Sequence, residues 1–572
     1  MTHKWIYRPI TPEQEGTSRT LAQDLGISLI LGRLLAQRGI KTTIEARKFF
    51  RPQLPDLHDP FLMKDMDVAV ERLNKAMGKK ERILIYGDYD VDGTTAVSLV
   101  YKFVQQFYSN IDYYVPDRYE EGYGVSRQGV DYAAQTGVKL IIVLDCGIKA
   151  VEEIAYAKEQ GIDFIICDHH VPDGEMPAAV AILNAKRPDN TYPYTHLSGC
   201  GVGFKFMQAF AISNGIEFHH LIPLLDLVAV SVASDIVPIM GENRILAFHG
   251  LKQLNSNPSV GMKAIIDVCG LADKELTVGD IVFKIGPRIN ASGRIQNGKE
   301  AVDLLIEKDY SIAKEKADRI NQYNETRKDL DKSMTEEANK IVAALEGLEH
   351  RRSIVLYNEE WHKGVIGIVA SRLTEVYYRP AVVLTRTGEM ATGSARSVAG
   401  FDVYKAVEHC RDLLINFGGH TYAAGLSMKK ENVEAFGKMF EEYVVGHILP
   451  EQTNPTINID SEIDFRDISR KFFTDLKKFN PFGPENLKPV FCTHHVYDYG
   501  TSKVVGREQE HIKLELVDNK SNNVMNGIAF GQSAHVRYIK TKRSFDICYT
   551  IEENSHKRGE AQLLIEDIKP IE

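Results

Sequence analysis

The chain is 572 residues long, 44% hydrophobic and 26% charged, which gives room for about three or four soluble globular domains and excludes a disordered or fibrous chain. Its net charge of −9 speaks against a uniformly basic nucleic-acid binder while leaving space for a local basic groove. Seven cysteines stand singly with no Cys-x-x-Cys pair, so a reducing cytoplasm is expected and a disulfide framework or zinc knuckle is not.

Residues 1–80 read as a polar-rich helical segment, broken at Pro52-Gln53-Leu54-Pro55 and expected to pack on the domain that follows. The start, Met1-Thr2-His3-Lys4-Trp5, lacks the apolar stretch of a signal peptide, and no apolar run along the chain reaches membrane-span length. From 81 to 308, strand and helix patterns alternate. Leu140 to Leu144 and Phe164 to Cys167 are continuous apolar runs, as strands buried on both faces should be, and Val151 to Gln160 between them reads as a helix. This pattern predicts a parallel sheet, whose sites form beyond the C-terminal ends of its strands.

The most informative run is Ile83-Leu84-Ile85-Tyr86-Gly87-Asp88-Tyr89-Asp90-Val91-Asp92-Gly93. Asp88, Asp90 and Asp92 stand on alternate residues after a short strand and ahead of a helix starting near Thr94. Carboxylates that close repel one another, and a divalent cation is the usual remedy. Asp88, Asp90, Asp92 and Gly93 also fit the opening of a calcium loop, but Leu99 stands where that loop needs its twelfth-position Glu, and a strand precedes the run. An Asp-rich turn capping a helix stays open on this run alone. Further strand ends then add Asp145-Cys146-Gly147 and Asp168-His169-His170, and Asp235 follows the apolar helical stretch Leu224 to Ala233. Each piece alone is weak; converging on one sheet edge, they form an Asp/His set suited to Mg²⁺ or Mn²⁺. There are ligands enough for two ions, which such sites hold roughly 3.5–4 Å apart to hydrolyse phosphate esters.

Arg288 and Arg294 flank Asn290 in the Gly- and Pro-containing stretch Gly286 to Arg294, read as a loop that is either a phosphate cradle or a structural turn. Residues 309–347 are charged and helical in period, a long solvated helix joining two domains. A second α/β pattern fills 348–450, with Gly393-Ser394-Ala395-Arg396-Ser397 at a strand end and His420 after a glycine pair, before a small-residue helix start. By spacing alone His420 is a turn residue. Residues 455–572 are short-stranded and predict a small barrel or sandwich; there His535 to Arg543 interleaves basic residues with Tyr538, as a single-strand groove or a solvated face would.

The motifs Asp88-Tyr89-Asp90-Val91-Asp92-Gly93, Asp145-Cys146-Gly147, Asp168-His169-His170 and Ala233-Ser234-Asp235 resemble those of the DHH phosphoesterase superfamily, and Gly418-Gly419-His420 resembles the motif of its companion DHHA1 domain. Arg118-Tyr119-Glu120-Glu121-Gly122-Tyr123-Gly124 and Gly286 to Arg294, with a C-terminal β domain, narrow the resemblance to the RecJ branch, bacterial exonucleases specific for single-stranded DNA. The resemblance runs from about residue 20 to the C-terminus. It implies two α/β domains, DHH and DHHA1, joined by the long helix around a central cleft, plus an OB-like barrel that recruits single-stranded DNA.

It further implies two Mn²⁺ or Mg²⁺ ions. Asp90 and Asp92 would hold different ions, Asp145 would bridge them, His169 and Asp235 would complete the shell of the second ion, and Asp88 would lie in or beside that of the first. Tyr86 replaces a histidine of smaller relatives, so the first ion would lean more on carboxylates and water. His170 and Asp168 form the catalytic pair, one on the scissile phosphate and the other orienting it, with a turn-holding role for Asp168 equally open. Arg118, Arg288, Asn290, Arg294, Ser394, Arg396 and His420 would bind substrate, Ser394 and Arg396 near a terminal phosphate. The implied activity is 5′→3′ degradation of single strands to 5′-mononucleotides in DNA repair and recombination, by a monomer with a single-strand-binding protein and a helicase as candidate partners. The alternatives are a phosphodiesterase of short oligonucleotides or cyclic dinucleotides, and a catalytically inactive replication scaffold. The retained ligands oppose the last, and the extra C-terminal residues favour a polymer substrate.

Overall fold

The computed structural model of the chain describes residues 3–554, 557 and 559–571; Met1, Thr2, Ser555, His556, Arg558 and Glu572, at the ends of the first and last expected segments and within the latter, lie outside the described residues. Strand β1 (Lys4–Tyr7) is followed by helices Pro12–Leu25, Leu29–Gln37, Thr43–Phe50 and Met66–Gly78. Thr11 and Thr42 cap the first and third with reciprocal side-chain bonds to Gln14 and Glu45.

The catalytic-domain sheet has five parallel strands, β2 (Arg82–Gly87), β3 (Ile111–Tyr114), β4 (Val138–Leu144), β5 (Asp163–Cys167) and β6 (Ala181–Leu183), in the order β3-β2-β4-β5-β6. Alternate residues feed two cores. Ile83, Ile85, Leu140, Ile142 and Leu144 pack with residues of helices Val91–Val104 and Gly199–Ser213. Leu84, Tyr86, Ile141, Val143 and Ile166 pack with those of Arg127–Gln135 and Val151–Glu159. Burial on both faces explains the continuous apolar runs. The chain leaves β2 to one side and returns as β4 on the other, so the switch point of the sheet lies between the strands that end in Gly87 and Leu144.

Arg288, Asn290 and Arg294 do not lie in a loop. A π-helical turn, Ile281–Ile285, runs into helix Gly286–Ile295. Pro287 follows directly on the π-helical turn, so the two apparent breakers lie within one continuous helical stretch instead of ending it.

Helix Tyr310–Ala343 is about 50 Å long at 1.5 Å per residue. It is not simply solvated. Ala313, Ala317 and Ile320 belong to the catalytic-domain core, and Met334, Ala338 and Val342 to the core of the next domain. Charge dominates its composition, but small and apolar residues at helical spacing anchor each half, making it a strut shared by two domains.

The second domain carries β7 (Ile354–Tyr357), β8 (Ala381–Thr387), β9 (Met390–Arg396), β10 (Leu414–His420) and β11 (Ala423–Lys429), ordered β10-β11-β9-β8-β7 with only β7 and β8 parallel. His420 therefore ends a strand opposite Ala423 in a tight hairpin, with no helix start after it. Gly419 has φ +151°, and a Cβ there would lie 2.3 Å from the Ala423 carbonyl oxygen, so the hairpin admits only glycine.

The C-terminal unit has β12 (Thr456–Ile459), β13 (Ser461–Glu462), β14 (Phe491–Asp498), β15 (Lys503–Val505), β16 (His511–Asp518), β17 (Val524–Ala529), β18 (Phe545–Glu553) and β19 (Ala561–Pro570). The order β14-β18-β19-β17-β16 closes through β16 onto β14, giving a five-stranded barrel. Most of the N-terminal segment packs here rather than on the catalytic domain. β1 pairs in parallel with β12, and Leu21, Leu31, Leu34, Leu35 and Phe49 share a core with Phe472, Phe479, Phe491 and Phe545. Met63 and helix Met66–Gly78 join the catalytic core, with Leu54 and Leu57 packed against it. Amphipathic helices declare that one face is buried, not which partner buries it. Arg244 joins the two bodies: its buried guanidinium lies 3.7 Å over the Phe49 ring and donates to the carbonyls of Phe49, Lys478, Phe479, Asn480 and Pro481.

Candidate metal centre

Gly87 ends β2, and the chain turns at once into helix Val91–Val104, capped by Asp90, whose Oδ1 accepts from Gly93 N at 3.1 Å. A Cβ on Gly93 would sit 2.4 Å from the Asp88 carbonyl oxygen, so this turn needs glycine. Asn290 Oδ1 accepts from Val91 N at 3.1 Å, so Asn290 braces the aspartate turn. Asp92 is clamped from the far side. Its carboxylate accepts from Gly199 N (2.7 Å), Cys200 N (2.8 Å) and Ser231 Oγ (2.7 Å), at the N-terminus of helix Gly199–Ser213.

Asp145, with φ +59°, follows β4, and a Cβ on Gly199 would lie 2.5 Å from its own. His169 and His170 follow β5, and Asp235 ends helix Leu225–Ser234. His169 Nε2 stands 3.2 Å from Asp145 Oδ1, 3.6 Å from Asp235 Oδ2 and 3.8 Å from Asp92 Oδ2. The strand ends and the helix end thus converge as their placement on one edge predicts.

The electrostatics calls for a cation. Burial, and then the charges of neighbouring carboxylates, raise Asp88, Asp90 and Asp145 above the ordinary range and Asp235 to about 9. Burial holds His169 down at about 4, a neutral ring able to ligate. Asp88 Oδ1, Asp145 Oδ1 and both His169 ring nitrogens are buried without a hydrogen-bond partner. Orphaned buried oxygens beside a neutral imidazole fit divalent ions bound by oxygen and nitrogen.

A pH prediction follows. Folded-state carboxyl pKa values raised above the unfolded value mean that the folded protein binds more protons, so its stability falls as pH rises. In chelator, the catalytic domain's melting midpoint is expected to drop by several degrees between about pH 4 and pH 9, the upper bound set by Asp235. Excess Mn²⁺ should flatten or reverse that slope; identical slopes with and without Mn²⁺ would count against the centre.

Asp168 is a positioning group. Its Oδ1 accepts from His169 N (2.7 Å), His170 N (3.0 Å) and His170 Nδ1 (2.7 Å), and its Oδ2 from Ile148 N (3.0 Å). Burial would raise its carboxyl, but His170 outweighs burial and holds it at about 2. Burial likewise opposes charge on His170, but Asp168 prevails and raises its pKa.

Across the cleft, Arg118 packs 5.0 Å over the Tyr89 ring. Burial, then the charges of Arg118, Arg396 and Arg327, lower Arg294 to about 9, so these guanidiniums lie in one another's field. Arg396 Nη1 donates to Ser394 Oγ at 2.8 Å. His420 is exposed at the strand end, and its ring is lowered by desolvation first and then by Arg396, with His170 also acting on it. Arg288 stands apart: Nε donates to Asn321 Oδ1 on the long helix and Nη1 to the Lys284 carbonyl.

Sequence reasoning missed four contributors. Tyr123 Oη lies 3.2 Å from His170 Nε2 and donates to the Asp145 carbonyl. Asn184 Nδ2 donates to the His170 carbonyl. Lys186 lies in the field of Asp235 and Asp168, and Ser231 holds Asp92. The polar run Asn184-Ala185-Lys186-Arg187 directly after β6, a fourth strand end on this edge, was a usable signal for two of them.

Residues 82–232 match the N-terminal domain of the DHH family, 350–446 the DHHA1 domain and 459–567 the RecJ OB domain. The chain is 37% identical to the single-stranded-DNA-specific exonuclease RecJ of Bacillus subtilis over 89% of its own length, and spans 64% of that protein. It is 31% identical to the Haemophilus influenzae protein of the same name, over 95% of this chain and 96% of that one. A crystal structure of RecJ in complex with Mn²⁺ from Thermus thermophilus shares the fold, with a TM-score of 0.84 over 100% of this chain and 80% of that chain at 23% identity. By its domains, its strand-end ligands and its relatives, the chain belongs to the RecJ family of DHH phosphoesterases.

Proposed function

We propose that the protein is a metal-dependent 5′→3′ exonuclease that hydrolyses single-stranded DNA to 5′-mononucleotides, using two Mn²⁺ or Mg²⁺ ions. The observation that carries this reading is the focus of three carboxylates on His169 Nε2, near Arg118, Arg294 and Arg396, whose charges act on one another. Asp90, Asp92, Asp145, His169 and Asp235 would hold the ions, with Asp88 beside them. Bound cations would neutralise charge on the reacting phosphate and acidify an attacking water.

The chain's own residues do the rest. Backbone amides at a helix start fix the Asp92 carboxylate. Asp168 fixes the His170 ring and favours its protonated form, a donor for a phosphate oxygen. Arg118, Arg294, Arg396 and Ser394 supply donors for a terminal phosphate, and a pocket at fixed distance from the reacting bond would set polarity by geometry. The barrel would recruit the strand. Among the described residues no helix is long and apolar enough to cross a membrane; we place the enzyme in the cytoplasm as a monomer acting in repair and recombination, with a single-strand-binding protein and a helicase as partners. Incubation with Mn²⁺ and 5′- or 3′-labelled single strands beside duplex tests catalysis, polarity and strand preference together. Mononucleotides released first from the 5′ label are expected; release from duplex at equal rate, or release that starts at the 3′ label, would overturn the reading.

A further inference from the structure

Phe283 is 79% exposed, Ile236 68% and Val171 65%, which puts them among the most exposed large apolar residues described. Singly such residues are ordinary, but these share a neighbourhood. Val171 follows His170 and Ile236 follows Asp235, and Asp235 Oδ2 is 3.6 Å from His169 Nε2, so the two flank the metal centre from different elements. Phe283 lies in the π-helical turn before helix Gly286–Ile295, where a Cβ on Gly286 would lie 2.8 Å from Ser234 Oγ, one residue before Asp235. Such turns recur at functional sites.

Ile236 has φ +59°, a left-handed conformation that branched residues avoid. The chain accepts that strain to hold an apolar side chain in water beside a ligand carboxylate, and strain of this kind points toward function. On the same segment Lys284 pairs with Asp280 at 3.3 Å and Arg288 is held by Asn321 and the Lys284 carbonyl, so the ring of Phe283 is the group left facing solvent. A free aromatic face beside a phosphodiesterase centre suits a single strand, whose bases offer free faces.

We propose that Val171, Ile236 and Phe283 form an apolar rim that receives unstacked nucleobases of the strand whose backbone crosses the metal centre. The inference rests on the reading of that centre as a single-strand phosphodiesterase site. In duplex the base faces are stacked and unavailable, so the rim selects single strands by contact. Because every base has a face, the selection is tolerant of sequence.

The test compares Ile236→Gly and Phe283→Ala with the wild type on an oligo-dT strand and on an abasic sugar–phosphate strand of equal length. Glycine is at ease at φ +59°, so Ile236→Gly removes the side chain while keeping the fold. KM for oligo-dT is expected to rise roughly tenfold in each variant, as loss of one stacked base implies, with kcat within about twofold. KM for the abasic strand should not move. Variants that keep the wild-type ratio of the two KM values overturn the rim. So does a concentration-dependent dimer abolished by Ile236→Gly with base preference intact, since the rim then meets a second copy. A wild type that cleaves neither strand with Mn²⁺ overturns the phosphodiesterase reading itself.

Discussion

Replacing Asp145 by asparagine is expected to cut Mn²⁺-dependent cleavage by about a hundred- to a thousandfold, the scale of losing a group that stabilises transition-state charge. Asparagine tolerates the left-handed backbone that Asp145 occupies at φ +59°, so the loss would report charge, not misfolding. Single-strand affinity, read by fluorescence anisotropy in chelator, should persist, because the guanidinium cluster and barrel are untouched. A second readout runs the opposite way. Asp145 is raised by burial and by Asp92, Asp90, Asp235 and Asp88, so in the metal-free protein its charge only adds repulsion. The variant should therefore melt above the wild type in chelator and gain less from Mn²⁺. Retained activity, or a lower melting midpoint in chelator, would remove Asp145 from the centre.

Arg244→Met is expected to uncouple the C-terminal unit from the catalytic domain at a cost of about 3–5 kcal/mol, since it strips buried carbonyls of a charged donor. The five acceptors lie at 2.8–3.2 Å from one guanidinium, and Met fills the space without replacing any of them. Calorimetry should show the C-terminal unit melting as a separate, earlier transition. Arg244→Lys should recover only part, because an ammonium has three donors where the guanidinium has five. A single unshifted transition in Arg244→Met would show that the apolar contacts alone hold the units together. Cutting the chain at Pro455 is a poorer probe of the barrel, because it uncovers Leu31, Leu35 and Phe49 as well.

The cluster of candidate metal ligands is legible because each strand-end member follows an apolar run that is unmistakable, and parallel strands bring such ends together. What clamps them is not. Asp92 is held by Gly199, Cys200 and Ser231, more than a hundred positions away, and glycine or serine on a helix carries no mark of the carboxylate it will meet. Gly286-Pro287 signals a break wherever it occurs, so sequence alone favours a loop where helix Gly286–Ile295 stands, the proline taken up next to the π-helical turn. Gly418-Gly419 likewise hides a strand, whose pairing with Ala423–Lys429 is a tertiary fact.

The pairing of β1 with β12, and the bond from Trp5 Nε1 to Asp567 Oδ2 across 562 positions, bear on how the chain is made. The first helices emerge from the ribosome with Leu21, Leu31, Leu34 and Leu35 facing water, and their partners lie more than 400 residues further on. At about 5–20 residues per second they wait roughly 20–90 s for cover. The catalytic domain can close during that interval, so the nascent protein passes through a stage with a folded centre, an unfinished barrel and an uncovered apolar leading segment.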